Sequence, residues 1–181
     1  MSKGGDWERD VCKFLSKWVQ GTEKPYIFWR GRGSGSAFTV SPLVGESFSG
    51  DVYSVRDDGK FLTDRFNCEC KTGYKEASLD KHLKYNKSDP IKDFWVQTLG
   101  DSLKSNKYPL LMYKKKGMPT PWVCIYEKTF STLVGYLYNS RYIHIHWRDL
   151  SDMYVFEMKE FFDTITPKII KEAIEVINVK S

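Results

Sequence analysis

Hydrophobic positions along this chain change their period several times, and each change predicts an element. From Asp6 to Val19 the apolar residues Trp7, Val11, Phe14, Leu15 and Trp18 return every three or four positions, a helix with one buried face that Gly21 stops. Asp51 to Val55 reads as a strand. Arg56-Asp57-Asp58-Gly59-Lys60 carries an Asp-Gly pair of hairpin type, which predicts an antiparallel return along Arg65 to Thr72 and brings Asp51 beside Glu69. In that return strand Phe66, Cys68 and Cys70 fall on one face and Asn67, Glu69 and Lys71 on the other, the pattern of a strand with one face in the core.

Farther on, Ile91, Phe94, Trp95, Thr98, Leu99 and Leu103 form a helical stripe opened by Asp89-Pro90, with Gln97 at its margin. Leu110 to Tyr113 and Trp122 to Tyr126 are apolar runs of strand length that extend the same sheet. Phe130 to Tyr138 is expected as a helix, Tyr142 to Trp147 as a further strand or turn, and Thr166-Pro167 as the start of a terminal helix through Ile177. Between the first helix and Asp51, Arg30-Gly31-Arg32-Gly33-Ser34-Gly35-Ser36 is too rich in glycine and serine for a regular element and is expected as a mobile basic loop. The fold class implied is α/β, a mixed central sheet flanked by helices. A single domain is expected, with a core over about residues 5–127 and a C-terminal helical extension over about 128–181.

Composition narrows the partners. The 181 residues are 41% hydrophobic and 28% charged, a globular balance that excludes a disordered chain, and no apolar run reaches the roughly 20 residues that span a bilayer. The first residues lack the apolar stretch of a secretory signal, so a cytoplasmic location is expected, and Cys12, Cys68, Cys70 and Cys124 read as free thiols. The net charge is only +5, but residues 71–116 hold eleven lysines against five acids, a local excess suited to a phosphate backbone.

Asp51, Glu69 and Lys71 then suggest chemistry. Phosphodiester cleavage needs a hard cation to neutralise developing charge, and paired carboxylates are ligands that such a cation prefers. A lysine one pleat beyond Glu69 can position water or stabilise the phosphate in the transition state. A Glu-x-Lys triplet alone is weak, because solvated salt-bridged faces produce it too. Cys68, Cys70, His144 and His146 raise zinc as a minor reading, though their spacing matches no common zinc motif.

Gly50-Asp51, then Glu69-Cys70-Lys71, resembles the PD-(D/E)XK nuclease superfamily, with Gly50 in place of the motif's proline. That resemblance implies a restriction-endonuclease-like core and Mg²⁺ or Mn²⁺ held by Asp51, Glu69 and the backbone carbonyl of Cys70. It implies Lys71 as catalytic base or charge stabiliser, and Glu8 on the first helix as a further catalytic and metal-binding candidate. Within the superfamily the chain looks most like archaeal and phage-type Holliday junction resolvases, over roughly residues 5–115. Such a protein would be a homodimer acting on branched DNA in recombination and repair, in the cytoplasm of a bacterium or a phage-infected host. Arg30, Arg32, Ser34, Ser36, Lys75 and Gln97 would touch DNA, and the aromatic-rich terminal part with Trp122, Trp147, Tyr154 and Phe156 is expected at the dimer interface. Three rival expectations remain: a nuclease of the same fold acting on linear duplex or single-stranded ends, a DNA-binding protein that keeps the fold without the chemistry, and a non-nuclease scaffold in which Glu69 and Lys71 are mere surface residues.

Overall fold

A computed structural model describes residues 3–31, 50–73 and 90–175. Its centre is a five-stranded mixed sheet in the order β3-β4-β5-β7-β6, with helices on both faces. A two-stranded ribbon of β1 (Phe28–Arg30) and β2 (Val52–Ser54) lies beside β3 (Phe66–Thr72). The amphipathic α1 (Lys3–Gln20) sends Trp7, Val11 and Leu15 against Cys68 and Cys70 of β3 and against Leu110 and Met112 of β4 (Tyr108–Lys114).

The return from β2 to β3 differs from the expected tight hairpin. The Asp58-Gly59 pair lies inside a short helix, α2 (Asp57–Thr63), and β2 meets β3 through the single backbone bond from Asp51 N–H to the Cys68 carbonyl, 2.8 Å, with no further ladder between them. The reason is packing. A Cβ on Gly59 would stand 2.4 Å from Ile27 Cγ2 and 2.6 Å from Ser54 Oγ, so Gly59 serves as the point where α2 closes on the ribbon.

β3 and β4 are parallel, Glu69 opposite Leu111 and Lys71 opposite Tyr113, while β4, β5 (Trp122–Tyr126), β7 (Met153–Glu157) and β6 (Tyr142–Ile145) pair antiparallel. Parallel neighbours require a crossover, and α3 (Pro90–Ser105) lies within it. Ile91, Phe94 and Trp95 of α3 cover Leu111, Tyr113, Cys124 and Val155. α3 therefore roofs the face that carries Asn67 and Glu69, both buried, and β3 is enclosed on both faces instead of on one.

The chain beyond residue 127 is not a helical extension. After α4 (Glu127–Leu133), shorter than the helix expected to reach Tyr138, it returns as β6 and β7, and β7 enters the sheet between β5 and β6. Val155 faces Cys124 across that seam, and Met153 and Phe156 are buried. Trp147 and Phe156, expected at an interface, are core residues. α5 (Met158–Thr164) and α6 (Pro167–Ala173) then close on α1: Phe162 meets the rings of Phe14 and Trp18, and Trp18 donates its indole N–H to the Ile165 carbonyl. Among the described residues no helix is long and apolar enough to cross a membrane.

Replacing Gly59 with alanine should lower unfolding free energy by roughly 1–3 kcal/mol in a urea titration through overpacking, although alanine is the better helix former. A stabilised variant would contradict the close approach.

Candidate active site

The site forms where β2 begins against the outer edge of β3. Gly50 adopts φ +90°, and a Cβ there would lie 2.8 Å from the Cys68 carbonyl oxygen and 3.0 Å from Asn67 Oδ1. Glycine alone fits that conformation and that approach, and proline, whose ring holds φ near −65°, does not. This is a physical reason for Gly50 where the motif has proline. One residue on, the Asp51 carbonyl accepts from Gly31 N–H, and Asp51 Oδ2 accepts from Cys70 N–H at 2.8 Å. The carboxylate thus occupies the place of a strand along this part of β3.

Glu69 points from β3 toward α3 and is 5% exposed. Its Oε1 accepts from Lys71 Nζ at 2.5 Å and from Gln97 Nε2 at 3.3 Å. Gln97, read from the sequence as a DNA contact, is exposed on α3 and is the second donor to that oxygen. Glu8 is equally buried on α1, with its Oε2 3.4 Å from Arg30 Nε. Arg30 ends β1 and does not belong to a solvated loop, and its guanidinium faces an acid of the site. Arg32, Ser34, Ser36 and Lys75 lie outside the described residues.

Electrostatics show how crowded the acids are. Burial first, then the neighbouring charge of Glu69, pushes the Asp51 carboxyl up from 3.8 to about 7, with Glu8 adding to the rise. The Cys70 N–H and Lys71 pull the other way without reversing it. Burial likewise pushes the Cys68 thiol up to about 12 and the Cys70 thiol well above its usual range, so both are inert core groups. His144 and His146 sit at the far edge of the sheet, each 2.7 Å from a different oxygen of Asp152, and the zinc reading fails because β3 and β6 are opposite ends of one sheet.

The Asn67 and Glu69 burial escaped sequence reasoning. Its available signal was the stretch from Thr72 to Tyr108, long enough for a helical crossover over that face.

A mixed sheet between helices, with an acid at the start of one strand and Glu-x-Lys on its neighbour, defines a PD-(D/E)XK nuclease core. The family model described as phage putative PDDEXK endonuclease matches residues 1–172. The chain belongs to that family. No curated protein and no solved structure matches it.

Two outcomes test this geometry. Restoring the motif's proline, Gly50→Pro, should destabilise by roughly 1–3 kcal/mol or more through backbone strain and should remove activity with it. The Asp51 carboxyl keeps its proton to about pH 7 when folded but ionises near 3.8 when unfolded, so its contribution to stability is complete below 3.8 and is lost as pH rises through about 7. In chelator, melting temperatures of Asp51→Asn should therefore gain on the wild type between about pH 4.5 and 8, and parallel curves would refute the shift.

Proposed function

We propose that this protein is a Mg²⁺- or Mn²⁺-dependent DNA endonuclease that resolves Holliday junctions as a cytoplasmic homodimer. The observation that carries the nuclease part is the pairing of buried Glu69 with half-buried Asp51, crowded enough that the charge of Glu69 raises the proton affinity of Asp51, with an ammonium 2.5 Å from Glu69. DNA is the substrate that an endonuclease family implies.

The residues fit a hard divalent cation. Among the described residues no three or more His, Cys, Asp or Glu converge to hold an ion alone, which suits Mg²⁺, an ion that keeps several waters and takes one or two carboxylates plus substrate phosphate. Asp51, Glu69 and the Cys70 carbonyl would hold it, with Glu8 as added negative charge nearby, and it would supply charge neutralisation and a more acidic water. Lys71 carries positive charge to the same edge, where it stabilises a phosphate in the transition state. Gln97 holds the Glu69 carboxylate in place, and Arg30 offsets the charge of Glu8.

The junction preference rests on the arginine and glycine-serine pattern after β1 together with Glu8. A four-way junction offers two equivalent strands to cut, so a twofold dimer suits it. With Trp147 and Phe156 inside the core, the contact between copies would fall to exposed residues such as Tyr138, Tyr142 and Ile143 around β6.

Incubation with Mg²⁺, a synthetic four-way junction and linear duplex of matched sequence should give junction cleavage first. Equal or faster cutting of the linear DNA would leave an ordinary endonuclease in place of a resolvase. Asp51→Asn and Lys71→Ala should each reduce cleavage by about 100-fold or more while junction binding persists. Salt-dependent DNA binding without any metal-dependent cleavage would leave only a binding protein.

A further inference from the structure

The ribbon of β1 and β2 has two unlike faces. Its register sets Phe28 opposite Ser54, Trp29 opposite Tyr53 and Arg30 opposite Val52. Strand alternation therefore puts Phe28 and Val52 on one face, where both are buried, and Trp29 and Tyr53 on the other. Asp51 immediately precedes β2, and because Gly31 N–H donates to its carbonyl the pairing runs on to it, so alternation assigns Asp51 to the Trp29 face. Diagonal neighbours across such a pair stand roughly 7–8 Å apart, so the indole and the candidate catalytic acid are adjacent on one surface.

Trp29 is 43% exposed, in a ribbon whose Phe28 is wholly buried. Tyr26 supports its ring at 5.4 Å between centroids and 64° between planes. Large aromatics contribute most when buried, so an indole held outward beside the acids forgoes that contribution. Lys71 places a cationic group beside Glu69, Arg30 places another beside Glu8 from the opposite face of the ribbon, and a nucleic acid strand is the ligand that combines a polyanionic backbone with flat apolar faces.

We propose that Trp29 is a stacking platform for an unpaired nucleobase of the DNA strand presented to Asp51 and Glu69. In an intact duplex both faces of each base are covered by neighbouring bases, so the indole gains contact only where a base has left the stack. The substrates selected are therefore single-stranded, frayed or branched DNA. This rests on the nuclease reading for its substrate and deepens it by naming the feature recognised.

The test measures binding by fluorescence anisotropy in chelator, with the full chain, a labelled 20-nucleotide single strand and its duplex. Trp29→Ala should weaken single-strand binding by roughly 5- to 150-fold, which is about 1–3 kcal/mol at 1.4 kcal/mol per tenfold. Duplex binding should change less than about twofold. Trp29→Phe, which keeps an aromatic face, should retain most of the single-strand affinity and guards against a folding artefact. A 2-aminopurine in the strand should be quenched by the wild type and less by Trp29→Ala. Equal losses on both DNAs, no loss on either, or no single-strand binding by the wild type would overturn the platform. Trp29-dependent binding by a protein that cuts no DNA with Mg²⁺ would sink the nuclease reading and leave the platform standing. Cleavage with single-strand binding indifferent to Trp29 would do the reverse.

Discussion

The site depends on one hydrogen bond, from Cys70 N–H to Asp51 Oδ2. β3 faces β4 on one side, and on the other, among the described residues, it meets the chain at Asp51 as it enters β2. A backbone N–H left bare in that position would carry the full penalty of an unmet donor. A side chain meets it in place of a strand, and the same contact fixes where the carboxylate stands. Fold and chemistry therefore share a bond. Gly50 is its precondition, because a side chain there would push β2 away from β3.

Three acids are gathered around this edge, and each is balanced differently. Glu8 has the Arg30 guanidinium, and Glu69 has Lys71 and Gln97. Asp51 has a backbone amide as its hydrogen-bond donor, and burial with the charge of Glu69 pushes its carboxyl up to about 7. Burying charge is tolerated only when compensation is close, and at Asp51 the Cys70 amide and Lys71 do not offset the cost of burial. The packing that enforces it comes from both sides: α1 against Cys68 and Cys70, α3 over the Glu69 face.

Much of this was legible in the sequence because it is written in local periods. The helical stripe of α1, the strand around Glu69, the stripe of α3 and the two strands after it all follow from spacing, and so did the approach of Asp51 to Glu69. The connection between them did not. Asp58-Gly59 has the chemistry of a tight turn, and only the contact of Gly59 with Ile27 and Ser54 makes it a helix. Met153 to Glu157 was missed as a strand because, as the inner strand between β5 and β6, it lacks clean alternation. Arg30 reads as part of a basic loop until its partner on α1, far away in sequence, is known. Long-range contacts decided each of these cases, and a local pattern does not contain them.

The position of β7 has a consequence for the order in which a functional molecule comes into being. Every described residue of the site, from Glu8 to Gln97, leaves the ribosome before residue 100, yet β5 lacks its second neighbour until Met153 to Glu157 has emerged. α1, which carries Glu8, gains its support from Phe162 and Ile165 later still. A nascent chain therefore holds its acids before the body that places them, and the site is assembled only after β7 and the helix that carries Phe162 have emerged. A chain cut short before β7 would keep every acid of the site and lose the sheet and helices that hold those acids together.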